Sequence, residues 1–179
     1  MFLQKQTSLQ NIFIYTDASF NASLSLAVSG YLFFDSEASH ARSDSTNVNT
    51  ETHLFSVKNN IRAEIIGANY SLKKLNDEIK LKDIDLENLE INVYSDCQTL
   101  TDLLRRRDRL FANNFISGKK KSELANADLY KEFYVLYDLL KPKINWVKGH
   151  SKSNGQSLEQ KNFQIIDQKV RKELRLLND

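Results

Sequence analysis

The sequence has few of the residues that crosslink or interrupt a chain: its 179 residues include one cysteine, one proline and five glycines. The single cysteine, Cys97, excludes an intramolecular disulfide and a zinc site built from several cysteines. Metal chemistry must therefore use oxygen or nitrogen ligands. No repeat, low-complexity segment or linker interrupts the sequence, so residues 1–179 are predicted to form a single domain.

Long apolar runs are also missing. No run approaches the length needed to span a bilayer, and the polar segment MFLQKQTSLQ lacks the apolar core of a signal peptide. We therefore expect no membrane association and a reducing, intracellular (cytoplasmic) location. The net charge is only +2, so any argument for nucleic acid must come from where the charges lie.

What is present is typical of a globular protein, with 41% hydrophobic and 27% charged residues. Three apolar segments, 11–16, 24–35 and 53–57, predict the strands of an antiparallel meander. The polar stretch between the second and third segments predicts a loop. His40 and His53, in or beside that stretch, are predicted to be surface residues.

The remainder of the chain predicts helices that alternate with two further strands. From Ile61 to Ile79, apolar residues recur every three or four positions, which predicts an amphipathic helix. A short apolar strand, 90–95, then leads directly into another helix. A strand–helix–strand order implies parallel pairing in this half of the sheet.

The C-terminal part predicts a helix at 127–140, a strand at 144–147 and a last helix. The first of these helices ends before Pro142, which cannot continue it. Ser157 and Gln160 form a plausible capping box for the last helix. The complete predicted order is βββ-α-β-α-α-β-α.

Three acidic residues, Asp17, Glu64 and Asp96, each lie where an apolar element meets a polar break, and Asp167 lies in the last helix. Carboxylates that converge from separate rigid elements suit hard divalent cations, because magnesium prefers oxygen ligands. Taken singly, three of them have ordinary alternatives: Asp17 as a strand-end acceptor, Glu64 as a first-turn residue favoured by the helix dipole, and Asp96 as an N-cap.

Five segments carry a family resemblance: IYTDAS with Asp17, NNIRAEI with Glu64, VYSDCQTL with Asp96, WVKGHS with His150, and IIDQKVR with Asp167. In this order, on these elements, they resemble the type 1 ribonuclease H family over nearly the whole chain. The resemblance implies an α/β, ribonuclease H-like fold. Its five-stranded mixed sheet would have three antiparallel strands followed by two parallel ones, flanked by helices.

The resemblance also implies a chemistry. Asp17 would bridge two divalent ions, Mg²⁺ or alternatively Mn²⁺, and Glu64, Asp96 and Asp167 would complete the ligand set. Such a site hydrolyses the RNA strand of an RNA–DNA hybrid and leaves 5′-phosphate and 3′-hydroxyl ends. His150 would assist by moving protons or by aiding product and metal release, and its ordinary alternative is a solvated loop residue. We expect the protein to act on the hybrid as a monomer.

Substrate contacts are expected at two places. Asn60 and Gln98 match family positions that hydrogen-bond the hybrid in its minor groove, and Asn21 is a further candidate. The basic stretch at 105–121, which ends in Lys119, Lys120 and Lys121, resembles in place the family's basic protrusion for substrate backbone. The alternatives are ordinary helix-end polarity for the amides and a solvated charged face for the basic stretch.

Two features depart from the family pattern. After Asp17 no glycine occurs before Gly30, although the family is usually glycine-rich there so that the backbone can approach nucleic acid closely. The interval from His150 to Asp167 is also several residues longer than is typical, which makes Glu159 a rival for the fourth carboxylate. Asp167 is preferred because the residues after it match the family.

Two other functions stay open. One is another nuclease of the same superfold, such as a junction resolvase or a transposon-derived domain, since fold does not fix function. The other is a non-catalytic nucleic-acid-binding module. The intact set of four carboxylates argues against the binding module, and Asn60 with Gln98 argues against the other nucleases.

Overall fold

A computed structural model describes residues 9–41, 49–149 and 155–177. Its centre is one five-stranded sheet with the strand order β3-β2-β1-β4-β5. The strands are β1 Gln10–Asn21, β2 Leu26–Phe34, β3 Asn49–Ser56, β4 Leu89–Ser95 and β5 Lys143–Trp146. The helices are α1 Glu37–Ala41, α2 Asn60–Leu81, α3 Gln98–Ala112, α4 Ala127–Leu140 and α5 Leu158–Arg175, with a 3-10 turn at Leu86–Asn88.

The pairing of the strands confirms the predicted mixed sheet. β1 pairs antiparallel with β2, and β2 pairs antiparallel with β3. β1 and β4 are parallel, as are β4 and β5. β1 extends further than predicted, to Asn21, and β3 begins earlier, at Asn49, because the register with β2 carries the polar ends of both strands into the sheet.

Both faces of the sheet are covered, because the side chains of a strand point alternately to its two faces. Ile12 and Ile14 of β1 belong to the larger core cluster with α2, α3 and α4. Phe13 and Tyr15 face the other way and pack against α5. β1 is therefore apolar without alternation, as a strand buried on both sides must be.

The amphipathic helices bury the predicted faces with two exceptions. Ile65 and Leu72 of α2 are fully buried, but Ile61 is 49% exposed because it lies in the first turn, before the helix reaches the sheet. In α5 the predicted capping box of Ser157 and Gln160 is present. Leu177 was expected on the apolar face of this helix; it lies beyond the helix end and is 41% exposed.

The prediction that His40 is a surface residue is wrong. The short helix α1 docks it into the smaller core, where it is 7% exposed and stacks on Phe13 with ring centroids 4.0 Å apart. The hydroxyl of Tyr15 and Nε2 of His40 are hydrogen-bonded at 2.6 Å. The Asn162 side chain on α5 donates to the His40 carbonyl at 3.3 Å.

Two further predictions concern exposure and membranes. His53, on the edge strand β3, is exposed as predicted. Across the three described segments, no helix combines the length and apolar character that a membrane crossing requires.

Candidate active site

The sheet brings Asp17 and Asp96 together. β1 and β4 run parallel as far as the pair Tyr15 and Tyr94, and β4 ends at Ser95. Asp17 therefore lies two residues past the last pair, and Asp96 directly follows β4. Asp17 is only 5% exposed, so its carboxylate is enclosed by the fold.

Glu64 reaches the same place from α2. This helix begins at Asn60 and is capped by Asn59, whose side chain accepts from the Arg62 backbone N–H at 2.9 Å. Glu64 thus lies past the first turn, where the helix dipole does not account for it. Its side chain is buried, at 7% exposure, and Nδ2 of Asn60 donates to its Oε1 at 3.3 Å.

The three carboxylates form one cluster: Asp17, Glu64 and Asp96 each offer an oxygen, and these atoms lie within 4.8 Å of one another. Burial, and then the charges of Asp96 and Asp167, raise the pKa of Asp17 well above its usual range. Burial, and then Asp17 and Asp96, likewise raise the pKa of Glu64. Ionised together, these groups repel one another in a poorly solvated site.

Asp167 approaches this cluster from α5. It lines a cleft of about 640 Å³ together with Asp17, Glu64 and Asp96. Its carboxyl is in hydrogen-bonding contact with that of Asp17, and its Oδ1 pairs with Nε of Arg171 at 2.8 Å, one helical turn away. Glu159, the rival candidate, lies in the first turn of α5 and does not line the cleft.

Asp96 is positioned by the last residue of β5 and by the segment that follows it. The indole N–H of Trp146 donates to the Asp96 carbonyl at 3.1 Å. A Cβ added to Gly149 would lie less than 3.0 Å from Oδ2 of Asp96, so only glycine leaves room for this carboxylate. The alternative role of Asp96 as N-cap of α3 is wrong, because the N-cap residue is Cys97.

The donor set fits a hard divalent cation. All of the converging ligands are carboxylate oxygens, which magnesium and manganese prefer. A cation at this position would neutralise carboxylates that burial and mutual repulsion otherwise disfavour. Cys97 does not belong to this group of ligands, and burial raises the pKa of its thiol to about 11.

Two of the predicted substrate residues line the cleft, Asn21 and Asn60. Asn21 ends β1, and its Oδ1 accepts from the backbone N–H groups of Ser23 and Leu24, which shapes the hairpin tip beside the cleft. Gln98 begins α3 and is exposed, outside the cleft lining. His150 lies outside the described residues.

The basic stretch is partly occupied by internal ion pairs. Arg107 makes two contacts with Asp138, at 2.5 and 2.6 Å, and Arg105 pairs with Asp102 at 2.7 Å. Arg107 therefore links α3 to α4, and the charges of both arginines are offset by neighbouring acids. The predicted backbone-binding lysines, Lys119, Lys120 and Lys121, are all exposed, in a turn between α3 and α4 that lies outside the cleft lining.

Sequence reasoning missed three residues at the site. In the sequence, Arg171 was used only to match the residues after Asp167 to the family pattern. In the structure it contacts the Asp167 carboxylate, and the i, i+4 spacing of the two residues could have predicted this ion pair. The contacts of Trp146 and Gly149 with Asp96 could not be predicted from the sequence, because they depend on how β5 lies beside β4.

A mixed sheet in the order β3-β2-β1-β4-β5, with carboxylates from β1, α2, the end of β4 and α5 around one cleft, defines a ribonuclease H-like domain. The family model for RNase H matches residues 9–174. The chain belongs to the RNase H family. This confirms the resemblance found in the sequence and the predicted enzyme class, ribonuclease H. The comparison with curated proteins found no match.

Solved structures share the fold at low identity. The RNase H domain of prototype foamy virus is 16% identical, with a TM-score of 0.63 over 92% of this chain and 94% of that one. LC9-RNase H1, described as a type 1 RNase H with the type 2 active-site motif, is 13% identical with a TM-score of 0.64, over 94% of this chain and 74% of that one.

A foamy viral protease-reverse transcriptase in complex with an RNA/DNA hybrid is also similar. It is 11% identical to this chain, with a TM-score of 0.62. The match covers 92% of this chain and 20% of that one, so this chain spans about a fifth of the viral protein.

Proposed function

We propose that this protein hydrolyses the RNA strand of RNA–DNA hybrids in a two-metal-ion reaction, with Mg²⁺ or Mn²⁺, and leaves 5′-phosphate and 3′-hydroxyl ends. The convergence of Asp17, Glu64 and Asp96 within 4.8 Å carries the proposal. The hybrid bound by the foamy viral neighbour supports the choice of substrate. Action as a monomer in the cytoplasm stays a prediction.

Asp17, Glu64 and Asp96 would hold the metal ions, and Asp167 would complete the set. Bound ions would supply polarisation of the attacking water and stabilisation of the leaving oxygen in an in-line displacement at phosphorus. The protein's own contribution is to fix the ligands. Asn60 holds the Glu64 carboxylate by a hydrogen bond at 3.3 Å.

Choice of the RNA strand requires contact with the 2′-hydroxyl, which distinguishes RNA from DNA at a given site. Asn60 and Asn21, which line the cleft with the carboxylates, would supply amide donors and acceptors to the bound strand. Gln98 would contact the minor groove outside the cleft. His150 would move protons during turnover.

A direct assay tests the substrate. The purified protein with Mg²⁺ is offered labelled RNA–DNA hybrid, double-stranded RNA, double-stranded DNA and a four-way junction. We expect cleavage of the RNA strand of the hybrid alone, with a 5′-phosphate on the product. Cleavage of the junction instead would identify a resolvase, and binding without cleavage would identify a non-catalytic module.

Asp96→Asn tests the metal site, because it removes a charged ligand and keeps the shape of the side chain. We expect cleavage to be abolished while the melting temperature in metal-free buffer stays the same or rises, since repulsion with Asp17 and Glu64 is relieved. The matched control is Asp102→Asn, a partly exposed carboxylate on α3 outside the cleft lining, which should leave the rate unchanged. Full activity in Asp96→Asn would rule out the proposed site.

A further inference from the structure

A second cleft adjoins the carboxylate site along α5. Its volume is about 460 Å³, and it shares Asp167, Arg171 and Arg175 with the first cleft. The side chains that line it beyond these three are mainly amides and cations. The relevant ones are Lys148, Gln160, Gln164, Gln168 and Lys172.

The sequence of α5 places these side chains on one face. Gln160, Gln164, Gln168 and Lys172 follow one another at i, i+4 spacing, and Arg175 lies one turn beyond Arg171, so they form a continuous stripe. The apolar side of the helix packs on the sheet through Ile166 and Val170, which are fully buried. The stripe therefore faces away from the core.

The stripe is electrostatically unbalanced. Among the described residues that line this cleft, Asp167 is the only acid, and it already contacts Arg171. Within the described segments, Lys148, Lys172 and Arg175 form no ion pair, and all three are exposed. Cations and amide donors without matching acids favour an anionic ligand.

We propose that this stripe, from Gln160 to Arg175, with Lys148 beside it, binds backbone phosphates of the nucleic-acid strand that enters the carboxylate cleft. This rests on the proposed function. A phosphodiester strand fits better than a single small anion, because the donors extend along the helix rather than converge on one point. Cations near the C-terminus of a helix can be explained by the helix dipole alone. Lys148 does not lie on α5, so this explanation does not account for all the cations that line the cleft.

The position of the cations along α5 sets their reach. Arg175 lies eight positions after Asp167, which is about 12 Å along the helix. A strand that runs along α5 advances about 3.4 Å per nucleotide, so the cations would contact phosphates roughly two to four nucleotides from the scissile bond. The proposal therefore predicts a short, defined contact register rather than general attraction to polyanions.

The test replaces the two outermost cations, Lys172→Ala with Arg175→Ala, and leaves Arg171 unchanged because it contacts Asp167. The matched control is Lys80→Ala with Lys141→Asn. It removes two exposed cations at the far end of α2 and the end of α4, and asparagine tolerates the left-handed backbone at Lys141, φ 48°. We expect the α5 pair to raise KM for the hybrid roughly tenfold at unchanged kcat, and the control to leave both within about twofold.

Binding of modified hybrids then locates the contact. Neutral methylphosphonate linkages are placed one at a time along each strand, and affinity is measured in the Asp96→Asn background, where the substrate survives. We expect one or two linkages, two to four nucleotides from the cleavage point, to weaken binding with the stripe intact and to have no effect in the Lys172→Ala, Arg175→Ala variant. The strand on which they occur identifies the strand bound.

The outcomes separate the two proposals. If the unmodified protein cleaves the hybrid but the α5 pair behaves like the control, the stripe proposal is wrong and the proposed function stands. If methylphosphonate effects are the same in both proteins at every position, the stripe binds no phosphate. If the unmodified protein cleaves no hybrid, the proposed function itself fails.

Discussion

Asp96 depends on the last residue of β5 and on one residue of the segment that follows it. Trp146 fixes its backbone through the indole hydrogen bond at 3.1 Å, and Gly149 leaves space for its carboxylate. A metal ligand must be held in its productive geometry by its neighbours, and loss of such a neighbour commonly costs ten- to a hundredfold, about the scale expected here.

Gly149→Ala is therefore expected to displace the Asp96 carboxylate. We expect kcat/KM for the hybrid to fall roughly ten- to a hundredfold and the Mg²⁺ concentration for half-maximal rate to rise, with little change in melting temperature. The control is Gly118→Ala, because an added Cβ there has no heavy atom within 4 Å. Equal rates for the two variants would show that the carboxylate does not need this space.

The fourth carboxylate is decided by a pair of substitutions. Asp167→Asn should lower kcat/KM by at least roughly tenfold, because its carboxylate lines the cleft with Asp17. Glu159→Gln should change it by less than about twofold, since Glu159 hydrogen-bonds Ser157 in the first turn of α5, which lowers the pKa of Glu159. A larger loss in Glu159→Gln would transfer the role to that residue.

The identity of the acids could be read from the sequence, and their surroundings could not. Asp17 and Asp96 follow apolar strands, and the carboxyl ends of neighbouring parallel strands meet at one edge of a sheet, so their proximity was predictable. The proximity of Gly149 to Asp96 links residues 53 positions apart. Only the lateral position of β5 beside β4 creates that contact.

At the scale of elements, the spacing of apolar residues in the sequence predicted the helices that bury one apolar face. α2 and α5 bury residues at the expected three- and four-residue spacing, and the capping box starts α5 where the sequence placed it. α1 was missed because its stability is not local. Its only buried residue is His40, which is held by Phe13 and Tyr15 on β1 and by Asn162 on α5.

The docking of α1 makes stability depend on pH. Burial lowers the pKa of His40, so in acid the unfolded chain takes up this proton before the folded protein does. Stability should therefore fall as the pH drops below about 6.5, the usual histidine pKa, by at most about 1.4 kcal/mol per pH unit. Urea unfolding between pH 7.5 and 5 should show a steeper loss in the unmodified protein than in His40→Gln. The control is His53→Gln, at an exposed histidine, which should lose stability with falling pH as steeply as the unmodified protein. Equal slopes of stability against pH in all three proteins would show that burial of His40 does not cause the pH dependence.

At the scale of the whole molecule, a net charge of +2 conceals an uneven distribution. Arg105 and Arg107 are neutralised by acids of α3 and α4. Exposed cations remain at the turn with Lys119, Lys120 and Lys121, and along α5. Carboxylates at the centre, with cations beside and beyond them, suit a polyanion that is cut at one phosphate and held at others.

The lysine turn is predicted to bind substrate backbone without reading sequence. Each phosphate contact releases counterions, so removing one should flatten the dependence of log affinity on log salt by about 0.7 to 0.9. Lys119→Ala, Lys120→Ala and Lys121→Asn are combined, with asparagine at 121 because its backbone is left-handed, φ 54°. We expect weaker binding to all hybrid sequences alike, a higher KM and a nearly unchanged kcat, as for uniform binding.

The control for this variant is again Lys80→Ala with Lys141→Asn, which lowers net charge at the far side of the molecule. Isotherms at several salt concentrations distinguish local contact from a general charge effect, because only a lost contact changes the slope. If the lysine variant keeps the slope of the unmodified protein, the turn is a solvated surface, and the α5 stripe must supply the backbone contacts alone. If the slope flattens in the lysine variant and again when the α5 cations are removed, the two surfaces hold separate phosphates of one substrate.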